Sequence, residues 1–229
     1  MPDFPQPTFY TVTMLTGIAI SIAYWSRVAK SDPRLVVIYI SALLSSFVGA
    51  KLVYLASEGW LFTEADDRLL HWMAGKSITG ALLGGFIGVE VAKKTTGYTK
   101  ATGDRFALVI PFVVTLGRVG CLTQGCCSGI ACDIQGLDYW PAVPVEMAFN
   151  ILALLIILHL RRGQLLIGQH FHLYLIAYGI FRFAHEFMRA TAKPFFNGIS
   201  GYQIAALVMI IAGTIGFWIR ANPNGRTGQ

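Results

Sequence analysis

Seven windows with few or no charges run along this chain, near residues 8–26, 35–56, 77–92, 106–122, 144–160, 170–188 and 201–219. Most are ~17–22 residues long, the length a helix needs to cross a hydrocarbon core about 30 Å thick. That constraint predicts an all-α polytopic membrane protein with seven transmembrane helices. The rest of the composition agrees: 55% of the 229 residues are hydrophobic and only 13% are charged, too few to cover a soluble surface of this size. The third window is short and rich in glycine. No repeat, low-complexity tract or long linker divides the chain, so 1–229 reads as a single transmembrane domain. Met1 to Pro7 carries no basic run and no small-residue cleavage site follows, so no signal peptide is expected.

A net charge of +6 raises the question of nucleic acid, but the basic residues sit in short connections between apolar windows. There they report topology, and no nucleic-acid partner is expected. One set of connections holds Arg27, Lys30, Arg34, Lys93, Lys94, Lys100, Arg105, Arg161, Arg162, Arg220 and Arg226. The opposite set mixes Arg68, Lys76, Arg189 and Lys193 with Glu58, Glu64, Asp66, Asp67, Asp133 and Asp138. The positive-inside tendency then predicts an N-terminus outside and a C-terminus in the cytoplasm. Trp60, Trp72, Tyr139 and Trp140 fall on the outer side, where an aromatic belt belongs.

With this topology, ionisable residues acquire a depth. Arg118 lies roughly 20 Å above the cytoplasmic edge, Arg182 about as high, and Lys51 a little higher. Glu146 enters the same region from outside, and Glu186 follows Arg182 by one turn. A charge in hydrocarbon costs several kcal/mol unless paired or hydrated, so each is a functional candidate. Structural readings compete. Arg182 and Glu186 form an i, i+4 pair, and Lys51 can snorkel to the surface. Arg118 stands between Gly117 and Gly120, with Gly125 and Gly129 beyond, and glycines admit a neighbouring backbone or a ligand. Arginine grips phosphate by two parallel hydrogen bonds, so the predicted ligand is an anionic lipid headgroup. Gly80, Gly84 and Gly88 in the third window read as a helix-packing face, or alternatively as a seam for lipid entry.

The four cysteines lie within Cys121-x4-Cys126-Cys127-x4-Cys132. Disulfides, a redox thiol and small packed side chains all suit an outer-face location. Zinc ligation suits the spacing poorly, and neither a metal nor a cofactor is expected. The histidines form no ligand pattern; His185, three residues after Arg182, is the one acid/base candidate among them.

Five short segments resemble, in order, the prolipoprotein diacylglyceryl transferase family. They are Gly49-Ala50-Lys51-Leu52, with Tyr54 close behind; Ser77-Ile78-Thr79-Gly80-Ala81-Leu82-Leu83-Gly84; Gly117-Arg118-Val119-Gly120-Cys121 through Gly125 and Cys126 to Gly129; Tyr178-Gly-x-x-Arg182-Phe-x-x-Glu186; and Ile199-Ser200-x-x-Gln203. The resemblance implies seven spans in the bacterial cytoplasmic membrane. It also implies transfer of the diacylglyceryl group of phosphatidylglycerol to a lipoprotein cysteine or another nucleophile. Arg118 and Arg182 would then clamp the phosphate, Glu186 would orient Arg182, and Lys51, Tyr54, Thr79, Gly117, Gly120, Cys121, Cys126, Gly129 and Gln203 would line the substrate site.

The chain departs from the family pattern where a base is needed. Thr79 replaces the motif histidine, and Cys121 and Cys126 replace the signature asparagine and glutamate. Glu146 or a cysteine would have to assume the base's task. Two other classes remain open from sequence, a non-catalytic lipid-binding or lipid-translocating protein and a thiol-redox membrane protein.

Overall fold

The computed structural model describes residues 8–66, 68–134, 136–195 and 198–221; expectations placed on Met1 to Pro7, Asp67 and Arg226 lie outside them. Eight α-helices account for most of it: α1 (Thr8–Val28), α2 (Arg34–Glu58), α3 (Arg68–Ala74), α4 (Ile78–Thr96), α5 (Gly103–Gln124), α6 (Ala142–Arg162), α7 (His170–His185) and α8 (Gly201–Ala221). Every apolar window became a long helix, with ends shifted by a few residues. Two elements are additions: the short α3, and an antiparallel hairpin of β1 (Ala131–Ile134) and β2 (Leu137–Tyr139) between α5 and α6. The hairpin corrects the all-α expectation. Its charged and turn-forming residues carry no period that singles out a strand.

Among the described residues, five helices, α1, α2, α5, α6 and α8, are long and apolar enough to cross a membrane. α4 carries Glu90, Lys93 and Lys94 in its second half, and α7 is only 16 residues long. Polarity is inverted relative to a soluble protein. Leu44, Leu52, Ile87 and Trp218 are more than half exposed on the outer helix faces, while Glu146, Asn150, Glu186 and Gln203 are 0% exposed. Such an arrangement is stable where the surroundings are hydrocarbon and the polar groups satisfy one another inside. The chain is a mostly helical, multi-pass membrane protein.

Local chemistry sets the ends of these helices. Ser77 caps α4 by accepting the Gly80 N–H at 3.2 Å, and Gly97 closes it in the left-handed region at φ +64°. The Asp32 carboxylate accepts from the Arg34 backbone N–H, and the Arg34 guanidinium beside it holds that carboxyl below the usual range. Asp104 of α5 reaches across to the start of α7, accepting from the N–H groups of Gly168 at 2.6 Å and His170 at 3.1 Å. A carboxylate thus satisfies donors that α7 cannot satisfy itself.

The closest helix pair is α2 with α4. A Cβ on Gly80 would collide with the Gly49 carbonyl oxygen, and one on Gly84 with the Ser45 carbonyl oxygen. The glycines of the third window therefore serve backbone-to-backbone packing, the first of the two readings of that face. Below, Trp25, Tyr39 and Phe106 stack at the centre of the apolar core, Trp25 lying 5.4 Å from Tyr39 and 4.4 Å from Phe106.

Substitution at these glycines separates packing from mere composition. Gly80→Val is expected to lower unfolding stability of the detergent-purified protein by at least about 1–3 kcal/mol. Gly117→Ala, where a Cβ meets nothing within 4 Å, is expected to leave it unchanged. Equal effects in thermal melts would contradict the packing.

Candidate anion-binding site

The site grows from two helix faces. On α7, Tyr174, Tyr178, Arg182 and Glu186 recur every four residues and therefore share a face. On α6, Glu146 and Asn150 do the same. Tyr178 donates to Glu146 Oε1 at 2.6 Å and Tyr174 donates to Asn150 Oδ1 at 2.8 Å, a polar ladder between helices that show lipid little but hydrocarbon. The third wall is α5, whose Arg118 points inward.

Arg118 and Arg182 converge. Arg118 Nη2 lies 2.8 Å from Glu146 Oε1 and 2.7 Å from Oε2, and Arg182 Nη1 lies 3.4 Å from Oε2. Two guanidinium groups from separate helices meet at one carboxylate, as the depth argument required. Arg182 Nη2 also pairs with Glu186 Oε2 at 2.8 Å, and its guanidinium sits over the Tyr202 ring at 5.6 Å. Glu186 Oε1 accepts from Thr191 at 2.5 Å and Ser200 at 3.3 Å. Gln203 holds the turn before α8, accepting from the Ser200 N–H and donating to the Phe183 carbonyl.

A third cation belongs here. Arg189, assigned from sequence to an outer loop, is buried, and its Nε lies 3.4 Å from Glu186 Oε2. The signal was present in the sequence, since 182, 186 and 189 keep helical spacing, but the apolar window appeared to end first. Tyr178, Asn150 and Tyr174 were likewise visible as i±4 neighbours of charged residues. Three buried arginines face the buried carboxylates Glu146 and Glu186, and Glu58, which accepts from Tyr202 at 2.9 Å, interacts with Arg189 beside them. Among the described residues, Arg118 Nε, Arg182 Nε and Arg189 Nε and Nη1 are buried without a hydrogen-bond acceptor. Buried donors left unpaired cost about 1–3 kcal/mol each, more on charged groups. An anion with several oxygens relieves that cost.

Other expected residues fall in different places. Lys51 does not join the arginines. Its Nζ donates to the carbonyls of Trp72, Met73 and Gly75 at 2.7, 2.5 and 2.8 Å, so all three of its protons cap the end of α3. Lys51 lies late in α2, and sequence could not show α3 packed beside it. Tyr54 donates to the His71 carbonyl at 3.3 Å and packs its ring on Gly75, supporting the same short helix. Thr79 Oγ1 lies 2.7 Å from Ser77 Oγ at the head of α4. Gly117 faces open space, whereas Gly120 packs against Tyr10 and Thr13, and Gly129 against the Trp140 backbone. His185 Nε2 accepts from Trp140 Nε1 at 3.2 Å, and its ring stacks on Phe181. Cys121 and Cys127 approach Arg118 Nη1 at 3.7 and 3.3 Å, and Cys126 stands beside them at the mouth.

A multi-pass helical membrane protein whose buried arginines from different helices share a carboxylate, with donors to spare, has the makings of an enzyme acting on anionic lipid. The family model for prolipoprotein diacylglyceryl transferase matches residues 6–219, and the chain belongs to that family. Among similar proteins is the phosphatidylglycerol–prolipoprotein diacylglyceryl transferase of Symbiobacterium thermophilum, 28% identical over 90% of this chain and 86% of that protein. The protein of the same name from Aeromonas salmonicida is 30% identical over 85% of this chain and 74% of its own. That from Staphylococcus haemolyticus is 26% identical, covering 89% and 79% respectively.

Removing the shared carboxylate tests its place at the hub. Glu146→Gln leaves the buried Arg118 without a carboxylate and Arg182 with Glu186 alone, and is expected to cost about 3–5 kcal/mol of stability. Tyr178→Phe loses one hydrogen bond to a charged group and is expected to cost about 1.5–3 kcal/mol. Chemical denaturation of both variants in detergent measures the difference, and a reversed order would remove Glu146 from that position.

Proposed function

We propose that this chain transfers the diacylglyceryl group of phosphatidylglycerol to a thiol of a lipoprotein precursor, releasing glycerol phosphate. The observation that carries the reading is the convergence of Arg118 and Arg182 on Glu146, with unpaired guanidinium donors remaining. Family membership and the names of the relatives support the same reaction. The lipid phosphate takes the free N–H groups of Arg118, Arg182 and Arg189. As the glyceryl C–O bond breaks, charge grows on the departing phosphate, and the guanidinium groups stabilise it more than they stabilise the ester.

Glu146 acts as a positioning residue. Its oxygens already accept from Arg118, Arg182 and Tyr178, which leaves it poorly placed to take a proton from an incoming thiol. Glu186 fixes Arg182 in the same manner. Lipid tails have room below. A cavity of about 240 Å³ runs from Ile78 and Val114, the latter one turn before Arg118, down past Leu82 and Phe86 to Lys93 and Arg220. Its walls are apolar along most of that length, which suits acyl chains.

The reading places all seven long helices across the bacterial cytoplasmic membrane as one domain, with the N-terminus outside and the arginines in the outer half. The charge distribution of the connections supports that orientation. No cofactor is invoked.

The test is transfer from phosphatidylglycerol to a fluorescent lipobox peptide in proteoliposomes, read as the mass gain of one diacylglyceryl group. Arg118→Lys and Arg182→Lys are each expected to slow transfer about 100- to 1,000-fold, because a point charge cannot replace a two-pronged donor at the developing anion. Wild-type protein that binds phosphatidylglycerol without turning it over would instead be a non-catalytic lipid-binding protein.

A further inference from the structure

The family's histidine is replaced by Thr79, the Glu146 oxygens are engaged with Arg118, Arg182 and Tyr178, and His185 Nε2 already accepts from Trp140, so the proposed mechanism assigns no side chain to ionise the acceptor thiol. The residues that replace the signature asparagine and glutamate are cysteines, and the fold gathers them. Cys121 sits on the last turn of α5. Gly125 then takes the left-handed conformation at φ +61°, ending the helix, and Cys127 takes it again at φ +65°. A non-glycine residue in that region is strained by roughly 1–2 kcal/mol. The double reversal turns Cys126 and Cys127 back over the helix end, where the Cys126 N–H donates to the Cys121 carbonyl. The Sγ atoms of Cys121, Cys126 and Cys127 all lie within 4.8 Å of one another. The fourth cysteine, Cys132, is engaged apart from them, with the Leu137 carbonyl in the hairpin.

We propose that Cys121, Cys126 and Cys127 form a three-thiolate site for a zinc-like divalent ion whose fourth coordination position takes the acceptor thiol. Tetrahedral Zn–S bonds of about 2.3 Å put sulfurs about 3.8 Å apart, within a small adjustment of the observed cluster. Three protein ligands and one exchangeable position are the arrangement of zinc sites that do chemistry, in contrast to closed structural ones. The exchangeable side has space, for a pocket of about 350 Å³ is lined by the three cysteines together with Gly129, Tyr139 and Trp140. Charge balances as well. Three thiolates and a divalent ion carry one negative charge, and Arg118 Nη1 stands 3.3 Å from Cys127 Sγ to offset it.

The assigned role rests on the transfer reaction proposed above. On binding, the acceptor thiol gives its proton to solvent and its sulfur becomes the fourth ligand, a thiolate near neutral pH. That sulfur attacks the glyceryl carbon of phosphatidylglycerol. The C–S bond forms as the C–O bond to phosphate breaks, and the electron pair leaves on glycerol phosphate. Arg118 touches the metal site with one nitrogen and Glu146 with the other, so nucleophile and leaving group meet at one side chain. The thioether product is a weak ligand and departs. A cysteine of the chain itself serves badly as a covalent relay, because a thioether once formed has no ready leaving group.

Cobalt(II) titration of the reduced, detergent-purified full chain reads this directly. The expected result is one cobalt per chain, displaced by zinc, with thiolate-to-cobalt charge-transfer absorption that strengthens when a lipobox cysteine peptide is added. Cys121→Ser, Cys126→Ser and Cys127→Ser are each expected to lose at least tenfold in affinity, while Cys132→Ser keeps it; gel filtration establishes that each variant is folded. Absence of binding by wild-type protein with three titratable thiols overturns the proposal. So does full affinity in Cys127→Ser, a cobalt spectrum indifferent to the peptide, or a disulfide within the trio in protein thiol-blocked in membranes. None of these measurements needs turnover. Intact cobalt spectra in a protein that fails to transfer lipid would therefore count against the proposed reaction and leave the site standing.

Discussion

One carboxylate organises the polar interior. Glu146 is fully buried, and Arg118 from α5, Arg182 from α7 and Tyr178 from α7 all bond to its two oxygens. A lone charge in that place costs several kcal/mol, and removing any partner strands the others. The arginines therefore cannot choose other rotamers cheaply, and helices α5, α6 and α7 are held at one mutual height. Glu186 repeats the device one turn further out, tying Arg182 and Arg189 to Thr191 and Ser200. What results is a rigid set of arginines, several of whose buried N–H groups remain unpaired.

The cluster sets three arginines against Glu146, Glu186 and the nearby Glu58, and what these carboxylates leave over is a set of unpaired N–H groups. A fully hydrogen-bonded network would be structural glue. Under the proposed function, the oxygens of a phosphate ester take the unpaired N–H groups left by Arg118, Arg182 and Arg189. Below, the apolar cavity offers the other half of a phospholipid a place.

How far these features could be read without coordinates depended on whether they are local. Helices were legible because a hydrocarbon solvent demands long apolar runs, and the hairpin was not, because strand pairing there follows no apolar alternation. Arg118, Arg182 and Glu146 declared themselves as charges at depth, each costly enough to need a partner. Lys51 looked the same by that measure, yet its partners are the carbonyls of α3, a helix of 7 residues that no periodicity announced. Arg189 lies in the connection after α7, as the apolar window implies, but its burial against Glu186 was not legible. The cysteines were legible as a cluster, while their meeting depended on two left-handed residues that sequence alone did not specify.

The glycine contact between α2 and α4 also limits how the molecule can move. With backbones touching at Gly49, Gly80 and Gly84, only compact side chains such as Ser45, Ser46 and Val53 lie between the two helices, which leaves little to repack. The pair behaves as a single stave. Any gap that widens to admit a bulky guest has to form along a different helix seam.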